Sequence, residues 1–160
     1  MLVVVWAGGC SSPSGTPGDL SPTGKQRLAE YCTKRQTCAV EQNFPEQATC
    51  PTSTCLASVL QEAPLLEFFD CQTPKQCPSF FNDDDCFWAA GTADAEQTAF
   101  VSRCVAKGEE CANASFGEAC ATYGMPIIRK EWLHKIDACV GMACADVDAC
   151  IAALQLPDCW

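Results

Sequence analysis

The chain contains no C-x-x-C, no adjacent Cys-Cys and no Cys-x-Cys, although 15 of its 160 residues are cysteine. The closest pairs, Cys50/Cys55 and Cys139/Cys144, follow a C-x4-C spacing. The missing C-x-x-C removes the usual thioredoxin-like motif and the commonest zinc half-site. Histidine is scarce too: with His134 alone, a Cys/His metal cluster would need all its other ligands from widely separated thiols. No metal or other cofactor is therefore expected. Basic residues are few, 10 Lys and Arg against 20 Asp and Glu, for a net charge of -10. Between Gln36 and Ser102 the only base is Lys75. That balance argues against nucleic acid, whose binding rests on cations neutralising phosphates. No apolar run approaches the ~18 residues that a membrane-spanning helix needs. Large aliphatics are also thin, with Val and Ile totalling 13 while Ala alone supplies 22.

What is abundant is cysteine, at a level typical of small disulfide scaffolds in oxidising compartments. Disulfides are the reading for Cys32, Cys38, Cys50, Cys55, Cys71, Cys77, Cys86, Cys104, Cys111, Cys120, Cys139, Cys144, Cys150 and Cys159. An odd total leaves one cysteine over, and Cys10 is the candidate. It follows the apolar stretch Leu2-Val3-Val4-Val5-Trp6 and the small residues Ala7-Gly8-Gly9. Residues 10–24 then open with Ser11-Ser12-Pro13-Ser14-Gly15, a composition suited to a flexible linker.

Residues 1 to 11 resemble the signal of a bacterial lipoprotein, in which the cysteine after small residues receives a diacylglyceryl group. Gly8 and Gly9 fit the small positions, while Ala7 stands where Leu is usual. The apolar part is shorter than the usual ~7–15 residues and no Lys or Arg precedes it, which points to a start upstream of Met1 and a truncated signal segment over 1–9. The resemblance implies lipidation at Cys10, export, and anchoring to a membrane. Ser11, in place of Asp, is similar to lipoproteins forwarded to the outer membrane. As a whole the chain looks like the cysteine-rich lipoproteins of Gram-negative bacteria, a label that implies a compartment and an anchor, with no activity attached. Plant lipid-transfer proteins and saposin-like modules are excluded by the missing adjacent or closely paired cysteines.

Periodicity beyond the linker is helical throughout. Leu28, Tyr31, Cys32, Cys38 and Ala39 share one face, with Cys32 and Cys38 at opposite edges and so bonded to different neighbours. Leu56, Val59, Leu60 and Ala63 form an i, i+3, i+4, i+7 set that Pro64 should end or kink. Phe100, Cys104 and Cys111 make another face, with Gly108 weakening the turn between them. Trp132, Ile136, Cys139 and Val140 make the next, preceded by Ile128 and a first-turn Pro126. Val147, Cys150, Ile151 and Leu154 make the last. Alternating strand patterns are absent and Ala-rich segments favour helix, so the fold class is all-α.

The cysteine spacing suggests two tandem modules, 25–90 and 91–160. Cys71-x5-Cys77-x8-Cys86 recurs as Cys144-x5-Cys150-x8-Cys159, an offset of 73, and Cys32, Cys38 and Cys50 fall near Cys104, Cys111 and Cys120. A rival alignment sets Leu65–Cys71 on Trp132–Cys139; the first satisfies more cysteines. Each copy then holds seven cysteines, so at least one bridge must join the copies. Under the favoured register the unmatched Cys55 and Cys139 are expected to bond each other.

Candidate sites are few. Phe68, Phe69, Phe80, Phe81, Phe87 and Trp88 gather six of the 14 aromatics into 21 residues. They would line a groove for an apolar ligand or partner helix, or else form the core of a small domain. Asn82-Asp83-Asp84-Asp85 offers hard oxygens at alternating positions, but the glycine and distal glutamate of an EF-hand loop are missing, and a solvated acidic loop is the simpler reading. Arg129, Lys130, His134 and Lys135, interleaved with Glu131 and Asp137, read as a solvated face salt-bridged at i, i+4. Trp160, with no residue after it, reads as a cap on the second module or a contact surface. Nothing around His134 resembles a nucleophile elbow. The expectation is a non-enzymatic, lipid-anchored structural or protein-interaction module at the outer membrane; the alternative is a carrier for a small apolar or lipid ligand.

Overall fold

The computed structural model describes residues 18–81, 85–155, 157 and 159. Cys10, most of the linker, Asn82–Asp84 and Trp160 lie outside them. The described residues are all-α: nine helices, a 3-10 turn, and a single isolated β-bridge.

Helix α1 (Pro22–Glu41) begins where the linker was expected to continue to residue 24. Ser21 sets that start. Its hydroxyl accepts from Gly24 N at 3.1 Å, Pro22 supplies a pre-set first turn, and the Glu62 carboxylate accepts from Ser21 N and Oγ. The helix ends where Asn43 adopts φ 57° and Phe44 N reaches back to Ala39 O at 2.9 Å. The 3-10 turn Pro45–Ala48 then packs against α1.

Helix α2 (Ser53–Val59) is capped by Thr52. The apolar set from Leu56 to Ala63 does not form one helix. The chain leaves helical geometry at Leu60 and Gln61, and α3 (Glu62–Gln72) starts afresh. Leu60 turns extended to pair with Ile128. Pro64 falls in the first turn of α3, where a missing N–H costs nothing, and so neither ends nor kinks a helix. Two short helices follow, α4 (Cys77–Phe80) and α5 (Asp85–Ala89).

The second part begins with α6 (Ala95–Glu110), held by a capping box: Gln97 N donates to Asp94 Oδ1 at 2.9 Å and Asp94 N to Gln97 Oε1 at 3.0 Å. Gly108 does not break it. A Cβ there would sit 2.8 Å from Gly117 Cα, so the glycine lets α7 (Ala114–Tyr123) cross at close range. Helix α8 (Lys130–Val140) starts after Ile128, which is drawn into the β-bridge, so Pro126 lies before the helix and outside its first turn. Helix α9 (Cys144–Ala153) completes the set.

Two apolar interiors result. One gathers Leu28, Tyr31, Leu56, Leu65, Phe68, Phe69 and Phe80 and extends to Met125 and Ile127. The other gathers Phe100, Phe116, Leu133, Ile136, Val140 and Val147.

Seven bridges staple the helices: Cys32–Cys50, Cys38–Cys77, Cys55–Cys159, Cys71–Cys86, Cys104–Cys120, Cys111–Cys144 and Cys139–Cys150. Cys32 and Cys38 do bond different neighbours. The expected Cys55–Cys139 bond does not form. Helices α8 and α9 pack together across a short turn, bringing Cys139 and Cys150 within 5.6 Å at Cα. The C-terminal segment instead carries Cys159 to Cys55 on α2. One bridge therefore joins the two parts.

Candidate functional site

The aromatic run at 68–88 divides into an interior and a rim. Phe68, Phe69 and Phe80 are buried, and their ring centroids lie 5.6, 5.1 and 5.4 Å from that of Tyr31. These rings pack against one another in the N-terminal interior. They are the core of a small domain, which the period of α1 and α3 dictates: Tyr31 sits on the stripe with Leu28, and Phe68 and Phe69 on that of Leu65.

The rim is different. Phe81 is half-buried, edge-on to Phe80 at 5.1 Å and to Phe44 at 6.3 Å. Phe87 meets Phe68 edge-on at 5.9 Å, and Trp88 beyond it is 54% exposed. Phe44 was not marked by the sequence as part of this group. It lies 24 residues before Phe68, and only the αL turn at Asn43 brings it round. Arg35 is a second unmarked member: its guanidinium carbon stands 5.7 Å from the Phe81 centroid while Nε donates to Gln47 O at 2.6 Å. Its Nη1 also donates to the Tyr31 hydroxyl at 3.1 Å. Burial pushes that hydroxyl above the usual tyrosine range, and the Arg35 charge pulls it partly back.

The basic group on α8 is arranged otherwise than expected. Its partners are not four residues along the same helix. Lys130 Nζ lies 2.6 Å from Asp94 and 2.9 Å from Glu96, and His134 Nε2 lies 2.7 Å from Glu96 Oε1. Arg103 on α6 reaches Asp137 on α8 at 2.7 Å. Lys135 rests over the Trp132 ring at 4.0 Å from its centroid, and Arg129 pairs with Glu131. The ions thus tie α6 to α8. Hydrogen bonding to Lys130 holds the Asp94 and Glu96 carboxyls below their ordinary range, and the two carboxylates raise Lys130. All are exposed, so the pairing is solvated.

Asp85, the last of the acidic run, opens α5. Open surface concavities are lined by described residues. One of about 500 Å³ lies where α6 and α7 cross, lined by Val105, Gly108, Ala112 and Gly117 with Glu109 and Glu118 at its edge. No helix among the described residues is long and apolar enough to cross a membrane. The chain matches no family model, no curated protein and no solved structure.

Proposed function

We propose that this chain is an exported lipoprotein whose lipidated Cys10 tethers a rigid, acidic, disulfide-stapled helical body of two tandem modules to the bacterial outer membrane. There it acts in structure or protein interaction, and no catalytic role is assigned. The observation that carries this reading is the use of thiols. The fourteen cysteines from Cys32 to Cys159 bond among themselves, so no cysteine remains in the chain to partner Cys10. Seven disulfides are in keeping with an oxidising compartment, and the residues before Cys10 resemble a lipidation signal. An anchor of several acyl chains gives stable attachment where one chain would be marginal.

The carrier reading has less support. Phe68, Phe69 and Phe80 are packed against Tyr31 and occupy the space an apolar ligand would need.

Protein recovered from its own membrane should yield a Cys10 peptide heavier by a diacylglyceryl adduct. Cys10→Ala should move the chain to the soluble fraction with all seven bridges intact. An unmodified Cys10 peptide, or a Cys10→Ala protein that stays membrane-bound, overturns the proposal.

A further inference from the structure

The bridges follow one order twice. Leaving aside Cys55, the N-terminal half bonds its cysteines first to third, second to fifth and fourth to sixth: Cys32–Cys50, Cys38–Cys77, Cys71–Cys86. Leaving aside Cys159, the C-terminal half does the same: Cys104–Cys120, Cys111–Cys144, Cys139–Cys150. Six cysteines can pair in about fifteen ways, so agreement is not the default outcome. The two cysteines outside the pattern bond each other. Cys55 sits on α2, which has no helical counterpart, and Cys159 lies beyond α9.

The helices agree in register. In α3 and α8, Gln61 and Arg129 are the N-caps, Leu65 and Leu133 are buried, Phe68 and Ile136 are buried, and Cys71 and Cys139 follow. Helices α4 and α9 each open on a cysteine, Cys77 and Cys144. The rival alignment of Leu65–Cys71 with the segment ending at Cys139 is the one these bonds obey; the 73-residue register is not.

The halves also meet through equivalent residues. Leu60 and Ile128, 68 positions apart, form the antiparallel bridge. Gln61 N donates to Ile127 O at 2.7 Å, and Arg129 N donates to Val59 O at 2.9 Å. Moving the first bond by 68 positions gives the second with the halves exchanged. The side chains of the same two residues also cross in both directions, though not onto strictly equivalent carbonyls. Gln61 Nε2 donates to Pro126 O at 2.7 Å and Ile128 O at 2.9 Å, while Arg129 Nη1 donates to Ala57 O at 2.7 Å. A contact in which each half offers the other the same patch is what a two-fold axis produces.

We infer that the chain is a covalent pseudo-dimer: two copies of one three-bridge module, paired across a pseudo-two-fold axis at Leu60 and Ile128. Residues 57–61 and 125–129 are then a self-complementary docking edge, and its partner is a second module of the same kind, supplied here by the same chain. This rests on the two-module reading of the body and is independent of the anchor.

The test begins with peptide mapping of the full, non-reduced chain, where any bond between the halves other than Cys55–Cys159 overturns the inference. The full chain carrying Cys55→Ser, Cys159→Ser and a protease site within 90–94 is then cleaved, passed through mild denaturant with its bridges intact, and weighed by native mass spectrometry. Self-complementarity predicts N–N and C–C pairs beside the original N–C pair, with N–N pairs reduced at least tenfold by Gln61→Ala. Only N–C pairs, or only separate halves, overturn it. Neither arm depends on lipidation, so an unmodified Cys10 leaves this result standing and the reverse also holds.

Discussion

Residues 22–89 and 94–154 use the same order of bridges to enclose interiors of different composition. The first is filled by aromatic rings, Tyr31, Phe68, Phe69 and Phe80, and its last helices are only four and five residues long. The second is filled by Leu133, Ile136, Val140 and Val147 around Phe100 and Phe116, and ends in a ten-residue helix. Rings supply more buried area per residue than aliphatic side chains, so a short helix bearing Phe80 can close a space that otherwise needs a longer one. The covalent frame tolerates both solutions because it sets which helices meet and leaves open what fills the gap between them.

The sharpest way to break this comparison is to empty one interior at a time. Phe69→Ala should cost about 4 kcal/mol, and Ile136→Ala about 3 kcal/mol, in denaturant unfolding with bridges intact. If the interiors are separate, the double variant should lose the sum within about 0.5 kcal/mol; a larger departure would merge them into one. Next in size is the single link between the halves. Removing Cys55–Cys159 with paired serines should cost about 3 kcal/mol, somewhat below the loop-closure value because other bridges already shorten the path. Melting should then broaden or split as the halves uncouple, and an unchanged single transition would count against distinct halves.

A smaller effect is expected at the crossing of α6 and α7. Gly108→Ala sets a Cβ 2.8 Å from Gly117 Cα and should cost about 2 kcal/mol despite the better helix propensity of alanine, with calorimetry as the check. No glycine pair marks the packing of α1 on the 3-10 turn, so the cost should be confined to the second half. The smallest concerns charge. Asp94 and Glu96 have lowered folded-state pKa values, so what they add to stability is present above the ordinary carboxylate range and lost as pH falls through and below it. A modest drop in Tm on acidification should flatten in Lys130→Met. A variant that keeps the full drop would remove Lys130 as its cause.

Much of this is legible in the sequence. The stripes Leu28/Tyr31/Cys38 and Val147/Cys150/Ile151 named their helices, because burial of one face imposes a 3.6-residue period whatever the neighbour. The break at Leu60 was not legible. An unbroken helical spacing runs through it, and only the competing bond to residues 127–129 pulls it open. The aromatic run was visible as a group, but its division into core and rim was not, since Phe44 reaches it through the turn at Asn43 and Arg35 reaches it across the fold from α1. The ion pairs of α8 escape the sequence for a similar reason: charges three or four residues apart are neighbours on one helix, yet Lys130 pairs with Asp94, the N-cap of α6, and with Glu96 on α6.

By itself the sequence determined that the chain is helical, acidic, thinly supplied with large aliphatic residues and dense in cysteine. Those properties follow from side-chain type and local spacing, which no later event in folding alters. Only the tertiary structure decided who bonds whom. A disulfide needs Cα atoms within a few ångströms, here 4.8 Å for Cys38–Cys77 and 5.7 Å for Cys55–Cys159. That proximity is a property of how helices pack and not of how far apart two cysteines stand in the chain.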